Sequence, residues 1–301
     1  MQKRGSDRFS HFNDRKGAAK KEQIRKDKRE ARKEREAFFQ TKKKGTPVAG
    51  AGKLPLKREV PAQMPLNKYL AHAGVAARRE AADMVRAGVV QVNGKPITEP
   101  GYKVMPGDVV KFKGKLIKPT HDFVYILLNK PKDYITTLRD PQNRKTVMDI
   151  VRSATRERIY PVGRLDRNTT GVLLLTNDGE LAHGLSHPSQ EIKKVYHVQL
   201  NRPLERNHFD ALLKGVELED GLATVDVLAY ADLKDKTQIG VEIHSGKNRI
   251  VRRLFEHFGY DVKGLDRVVF AGLTKKNVDR GKWRFLSEKE IRDLKYFGKG
   301  K

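Results

Sequence analysis

The chain has 301 residues, no cysteine, and 63 lysines and arginines against 37 aspartates and glutamates, a formal net charge of +26. That length suggests about two domains, and a charge beyond what solubility needs points to a polyanionic partner. Without thiols there is no disulfide scaffold, cysteine-type zinc site, iron–sulfur cluster or thiol nucleophile.

Residues 1–60 hold 20 of the basic residues and 8 of the acidic ones, a net charge of +12. The segment is poor in apolar side chains and cannot bury enough surface to offset the entropy of ordering. Residues 1–62 therefore read as a disordered basic tail, with a transient helix over Lys21–Lys44. Such an arm would raise RNA affinity through phosphates without reading sequence. Met1–Ser10 lack the apolar stretch of a secretory signal. The longest apolar runs, such as Val172–Leu175, fall far short of the roughly 18 residues of a membrane span. The expectation is a soluble, cytoplasmic protein with no membrane partner.

Residues 63–119 form a small module. Leu66, Tyr69, Leu70 and Ala73 recur at helical spacing, and Gly74 stops that helix. A second helix is predicted over Arg78–Ala87, with Ala81, Ala82 and Val85 on its apolar side. Val89–Val92 reads as a strand, Asn93-Gly94 as a tight turn leading to Lys95–Ile97, and Val109–Phe112 as a further strand. Lys68, Arg78, Arg79 and Arg86 occupy exposed helix positions. The module is similar to the alpha-L RNA-binding motif, first known from the small-subunit ribosomal protein S-four. The residues that carry the likeness are Leu66-Asn67-Lys68-Tyr69-Leu70, Ala77-Arg78-Arg79-Glu80-Ala81 and Val90-Gln91-Val92-Asn93-Gly94. It implies that Lys68, Arg78 and Arg79 contact RNA.

Residues 122–301 alternate strand and helix signals without a repeat. Strands are predicted over Phe123–Leu128, Gly171–Thr176, Val195–Leu200 and Gln238–His244. The second of these is nearly continuously apolar, as a strand buried on both faces would be. Asn177-Asp178-Gly179 turns into a helix beginning near Glu180. Arg249–Phe258 forms a helix with Val251, Leu254, Phe255 and Phe258 on one stripe. The fold class is α+β, with a mixed, largely antiparallel sheet and flanking helices.

The chemistry concentrates in Gly163-Arg164-Leu165-Asp166-Arg167-Asn168-Thr169-Thr170-Gly171. A carboxylate lies in a polar loop that enters the buried strand directly, and arginines flank it. Fixing a carboxylate to a rigid element is what an active site needs. On composition alone, Asp166 could instead close an Asx-turn with Asn168. His183 and His187 lie four apart without a third ligand at suitable spacing, and read as surface or turn histidines rather than a metal site.

This segment resembles the signature of RNA pseudouridine synthases, of the RsuA/RluB type. Three further blocks agree in order. They are Leu128-Asn129-Lys130-Pro131 with Thr136-Thr137 and Asp140-Pro141; Asp178-Gly179-Glu180-Leu181-Ala182 with His187-Pro188-Ser189; and Gly246-Lys247-Asn248-Arg249-Ile250-Val251-Arg252-Arg253. The resemblance spans roughly residues 64–290, and the alpha-L module is its usual companion. It implies that a uridine in ribosomal RNA, more specifically of the large subunit, is isomerised to its C-glycoside. The N1–C1′ bond breaks, the base turns, and C5 bonds to C1′. Neither cofactor nor metal is expected, and no protein partner is required.

Asp166 matches the family's essential aspartate, which either attacks covalently or removes a ribose proton. Arg252 matches the basic partner that keeps it ionised. Tyr196 matches the tyrosine against the uracil, able to stack and to help remove the C5 proton. Val251 would touch the base. Arg164 matches the arginine that fills the space left when the nucleotide is flipped out. Lys130, Lys247 and Arg249 are phosphate candidates, and Asn248 opens the helix carrying Arg249 and Arg252, where backbone N–H groups and basic side chains would converge. Ile250 departs from the Gln or Glu often seen there. The alternative is an rRNA-binding assembly factor on the same fold, with no use for Asp166.

Overall fold

The computed structural model describes residues 63–119 and 122–297. The basic tail and its expected transient helix lie outside them. Both described stretches fall within one unit, Pro55–Lys301.

In the first stretch, helices α1 (Leu66–His72) and α2 (Arg78–Arg86) stand where the apolar spacing puts them. The break between them falls at Gly74, whose φ of 75° suits a residue without Cβ. Strands β1 (Met64–Pro65), β2 (Val90–Val92), β3 (Lys95–Pro96), β4 (Lys103–Val104), β5 (Val110–Phe112) and β6 (Lys115–Leu116) follow in chain order. The hairpin and the β5 strand were legible; β1, β4 and β6 are too short to leave a periodic signal. β3-β2-β5-β6 form one antiparallel sheet, and β1 pairs β4. Leu66, Leu70, Ala81, Val85, Val90 and Val110 make a core of their own.

The second stretch carries β7 (Tyr125–Lys130), α3 (Val147–Val151), β8 (Tyr160–Pro161), β9 (Thr170–Thr176), α4 (Gly179–Ser186), β10 (Lys194–Leu200), α5 (Arg206–Lys214), β11 (Val216–Leu218), β12 (Gly221–Ala223), β13 (Val227–Tyr230), β14 (Gln238–Ile243), α6 (Ile250–Glu256), β15 (Val262–Phe270), β16 (Leu273–Thr274), β17 (Trp283–Phe285) and α7 (Glu288–Phe297). A nine-stranded sheet runs β13-β14-β10-β15-β9-β7-β17, with β16 on β15 and β8 on β9. Only β15 and β9 run parallel. The class is the expected α+β with a largely antiparallel sheet.

β7 and β9 lie in the interior of the sheet and are buried along their whole length. Ile126, Leu128, Leu173 and Leu175 face one core, shared with Leu254 and Phe255 of α6. Tyr125, Leu127, Val172 and Leu174 face the other, shared with Leu181 and Leu185 of α4 and Leu294 of α7. Covering both faces is why β9 carries the continuous apolar run Val172–Leu175. Asp178 starts α4 by accepting the Leu181 N–H at 3.1 Å. The strand β15 was not predicted, because Gly264, Asp266 and Arg267 interrupt its alternation. The helix α6 begins one residue later than expected and ends two earlier, with Arg249 at its N-cap in left-handed backbone, φ 47°.

Candidate active site

The loop bearing Asp166 leaves β8 and enters β9, and three devices hold its backbone. Thr136 Oγ1 donates to the Leu165 carbonyl at 2.8 Å and accepts the Leu165 N–H at 3.3 Å. The Thr169 N–H closes a turn onto the Asp166 carbonyl at 3.0 Å. From beneath, Lys130 Nζ donates to the carbonyls of Asp166 (3.0 Å), Arg167 (3.1 Å) and Thr169 (2.8 Å), and to that of Pro131 (3.1 Å). The Asx-turn is not formed: the backbone of Asp166 is tied down, while its carboxylate makes no hydrogen bond or ion pair among the described residues.

This corrects the reading of Lys130 as a phosphate ligand. The side chain is 0% exposed. β7 runs on through Asn129 and Lys130, placing Lys130 opposite Gly171 and under the loop. Burial lowers its ammonium to about 8, with Asp166 pulling the other way.

Asp166 opens onto a cavity of 660 Å³, a size suited to one nucleoside. Arg164 stands exposed on the same wall. Tyr196 lines the cavity from β10, 8% exposed, and Val251, 3% exposed, from α6. Ile250 is apolar lining as well, which is what this chain places where a polar residue is common. Three of the expected contacts thus converge with Asp166: Tyr196, Val251 and Arg164.

Arg252 is buried on α6, its Nη1 donating to the Val262 carbonyl at 2.9 Å. It makes no ion pair with Asp166. Burial lowers its value, Arg249 adds to this, and the Asp166 carboxylate opposes it, so the attraction acts at longer range. Lys247 and Arg249, expected to take phosphates, are engaged within the protein. Lys247 Nζ donates to the carbonyls of Asp220 (2.7 Å) and Gly221 (3.0 Å), and Arg249 Nη2 to Glu256 Oε1 at 3.0 Å. Both still line the cavity, and Asn248 is exposed beside them. The seven-residue α6 begins after Arg249, so Asn248 does not open the helix.

Among the cavity residues that sequence reading missed, two are buried or half-buried cations. Lys194, next but one to Tyr196, donates to the carbonyls of Ile192 (2.9 Å) and His244 (2.6 Å). Burial, then the Arg267 charge, lower it to about 8. Its place in Lys193-Lys194-Val195-Tyr196 was the available signal. Arg267 on β15 is 2% exposed and sits beside Tyr196; no motif marked it.

In the small module, Arg78 and Arg79 are exposed, and Lys68 reaches Glu180 at 3.5 Å. Lys68 and Arg78 line a second cavity of 860 Å³ together with Arg158 and His183. His183 and His187 are surface residues with ring centroids 5.2 Å apart.

The mixed sheet thus places a backbone-clamped aspartate and a tyrosine on one cavity. A family model described as RNA pseudouridylate synthase matches residues 124–257, and an S4 domain model matches residues 64–110. Ribosomal large subunit pseudouridine synthase B of Bacillus subtilis (strain 168) is 40% identical over 233 residues, covering 76% of this chain and 95% of the relative. An uncharacterized RNA pseudouridine synthase of Aquifex aeolicus (strain VF5) is 39% identical over 232 residues, covering 76% and 92%. The dual-specificity RNA pseudouridine synthase RluF of Escherichia coli (strain K12) is 35% identical over 231 residues, covering 76% and 77%. The crystal structure of a pseudouridylate synthase superposes with a TM-score of 0.54 at 26% identity, covering 77% of this chain and 99% of that one. The chain belongs to the RNA pseudouridine synthase family, of the RsuA type that carries an S4 RNA-binding domain, and is an isomerase acting on RNA.

Proposed function

We propose that this protein converts uridine to pseudouridine in ribosomal RNA of the large subunit. The observation that carries the reading is Asp166: its backbone is clamped at the edge of a nucleoside-sized cavity while its carboxylate takes no hydrogen bond or ion pair from the described residues. A carboxylate so held meets C1′ or a ribose proton without reorganising. The target nucleotide is flipped out, and Arg164 enters the space it vacates. Tyr196 and Val251 take the base between them, and Tyr196 removes the C5 proton after the new bond forms. Arg252 favours the ionised carboxylate from a distance. Arg78, Arg79 and Arg158 lie exposed or along the second cavity and bind flanking phosphates. The large-subunit target is supported by the sequence blocks around Lys130 and Lys247, and by the B. subtilis relative's name.

The test is tritium release from C5-tritiated uridine in large- and small-subunit rRNA. Wild type should release tritium from the large-subunit RNA, and Asp166→Asn should not, while both bind RNA equally. Tight binding with no release, from partly assembled subunits as well as free RNA, would instead make the protein an assembly factor.

A further inference from the structure

We propose that Arg267 is a positioning residue of the isomerisation, acting through Tyr196: its buried guanidinium orients the phenol and supplies the donor that the phenol oxygen needs once it has lost its proton. The inference rests on the role given above to Tyr196.

The placement comes from an irregular stretch of sheet. Val195 pairs with Val269, but Tyr196 pairs with Arg267, so Val268 is an extra residue in β15. Such a bulge re-aims side chains, and here it sets Tyr196 and Arg267 opposite each other on one face. On its other side Arg267 lies against Gly171 of β9, where a Cβ would come 2.1 Å from the Arg267 carbonyl oxygen. A glycine at the exit of the Asp166 loop thus lets β15 approach closely enough to bring the arginine into the site.

The guanidinium is fixed at two points. Nε donates to the Val172 carbonyl at 2.8 Å, and the plane lies over the Phe270 ring, 4.5 Å from its centroid. Nη2, however, is buried without a hydrogen-bond partner among the described residues. Buried donors are rarely left unmet, and one at a reactive site points to a group that completes it during the reaction. The side chain that acts on Arg267 is Tyr196, whose phenol oxygen opposes the lowering that burial imposes on the guanidinium. Both residues line the cavity with Asp166.

The step balances as follows. When C5 has bonded to C1′, C5 still holds its hydrogen. The Tyr196 oxygen, having released its own proton to water, takes that hydrogen as a proton, and the C5–H electron pair restores the ring double bond. N1, freed of C1′, takes a proton from water. The unmet Nη2–H donates to the phenol oxygen while it is negative.

The experiment measures kcat and KM on RNA carrying 5-deuteriouridine or ordinary uridine, for Arg267→Gln and Arg267→Lys, alone and combined with Tyr196→Phe. Arg267→Gln should lower kcat at least tenfold, leave KM within twofold, and expose a primary deuterium isotope effect. Arg267→Lys should restore part of the loss. In the Tyr196→Phe background each change at Arg267 should cost less than twofold, because residues acting through one another are not additive. Losses that multiply, or a fall in kcat without an isotope effect, would make Arg267 a packing residue and overturn the proposal. If Arg267→Gln does not fold, by urea denaturation, Arg267→Lys carries the cycle by itself. Full turnover by Tyr196→Phe would remove Tyr196 as the base and the proposal with it, while Asp166→Asn would still report separately on the isomerase.

Discussion

Replacing Lys130 with methionine separates stability from loop order. The ammonium serves four carbonyls, three of them in the Asp166 loop. Its three N–H groups, one of them shared, contribute somewhat over 1 kcal/mol each as charged donors, so the change forfeits about 4 kcal/mol. Burial lowers Lys130 from 10.5 to about 8, a cost of roughly 3 kcal/mol that methionine does not carry. The balance is a global loss of only about 1 kcal/mol, readable in urea unfolding. The loop, by contrast, loses its hub, and a displacement of about 1 Å at a reacting group costs on the order of 100-fold in rate. Single-turnover tritium release should therefore fall about 100-fold in a protein that is still well folded. A rate within threefold of wild type would refute the clamp. The pH dependence gives a second check. The folded state releases this proton before the unfolded state does, so the wild type gains stability relative to Lys130→Met as pH rises from about 8 to about 10.5, by up to roughly 3 kcal/mol. Lys194, with a similar shift, is present in both proteins and cancels. A stability difference that stays flat over that range would refute the buried charge.

Gly171→Ala should destabilise by about 3 kcal/mol or more in urea, because φ is 108° and the new Cβ meets the Arg267 backbone; a loss below 1 kcal/mol would mean the strands separate freely there. Glu290, held by hydrogen bonds from Arg284, is lowered to about 2 and ties α7 to β17. Its contribution is complete above about 4.5 and lost as pH falls through about 2, so Glu290→Gln should flatten acid destabilisation in that window; an unchanged acid limb would exclude it. Deleting residues 1–60, with their net charge of +12, should weaken RNA binding and reduce its salt dependence while leaving turnover at saturating RNA intact. Loss of that turnover would show that the tail does more than attract phosphates.

The main elements and the reactive loop were legible because each is local. Asp166 lies in a polar loop that leads into the apolar run Val172–Leu175 of β9, and Tyr196 sits in an alternating strand. The fates of the cations were not legible. Lys130, Lys247 and Arg249 look alike in sequence, as basic residues in polar motifs. One is buried under a loop 36 residues away, one caps a turn at Asp220, and one pairs along its own helix with Glu256.

The sequence by itself determined that this chain meets a polyanion, that its larger stretch is an α+β sheet domain, and where the candidate carboxylate lies. Charge, periodicity and a contiguous motif are properties of neighbouring residues. Tertiary structure decided which basic side chains remain available to a ligand, and it alone brought Arg267 to Tyr196, through a bulge in β15 and a glycine in β9. Those contacts join residues some 70 to 100 positions apart, and a desolvated cation takes whichever carbonyl or phenol the fold presents to it.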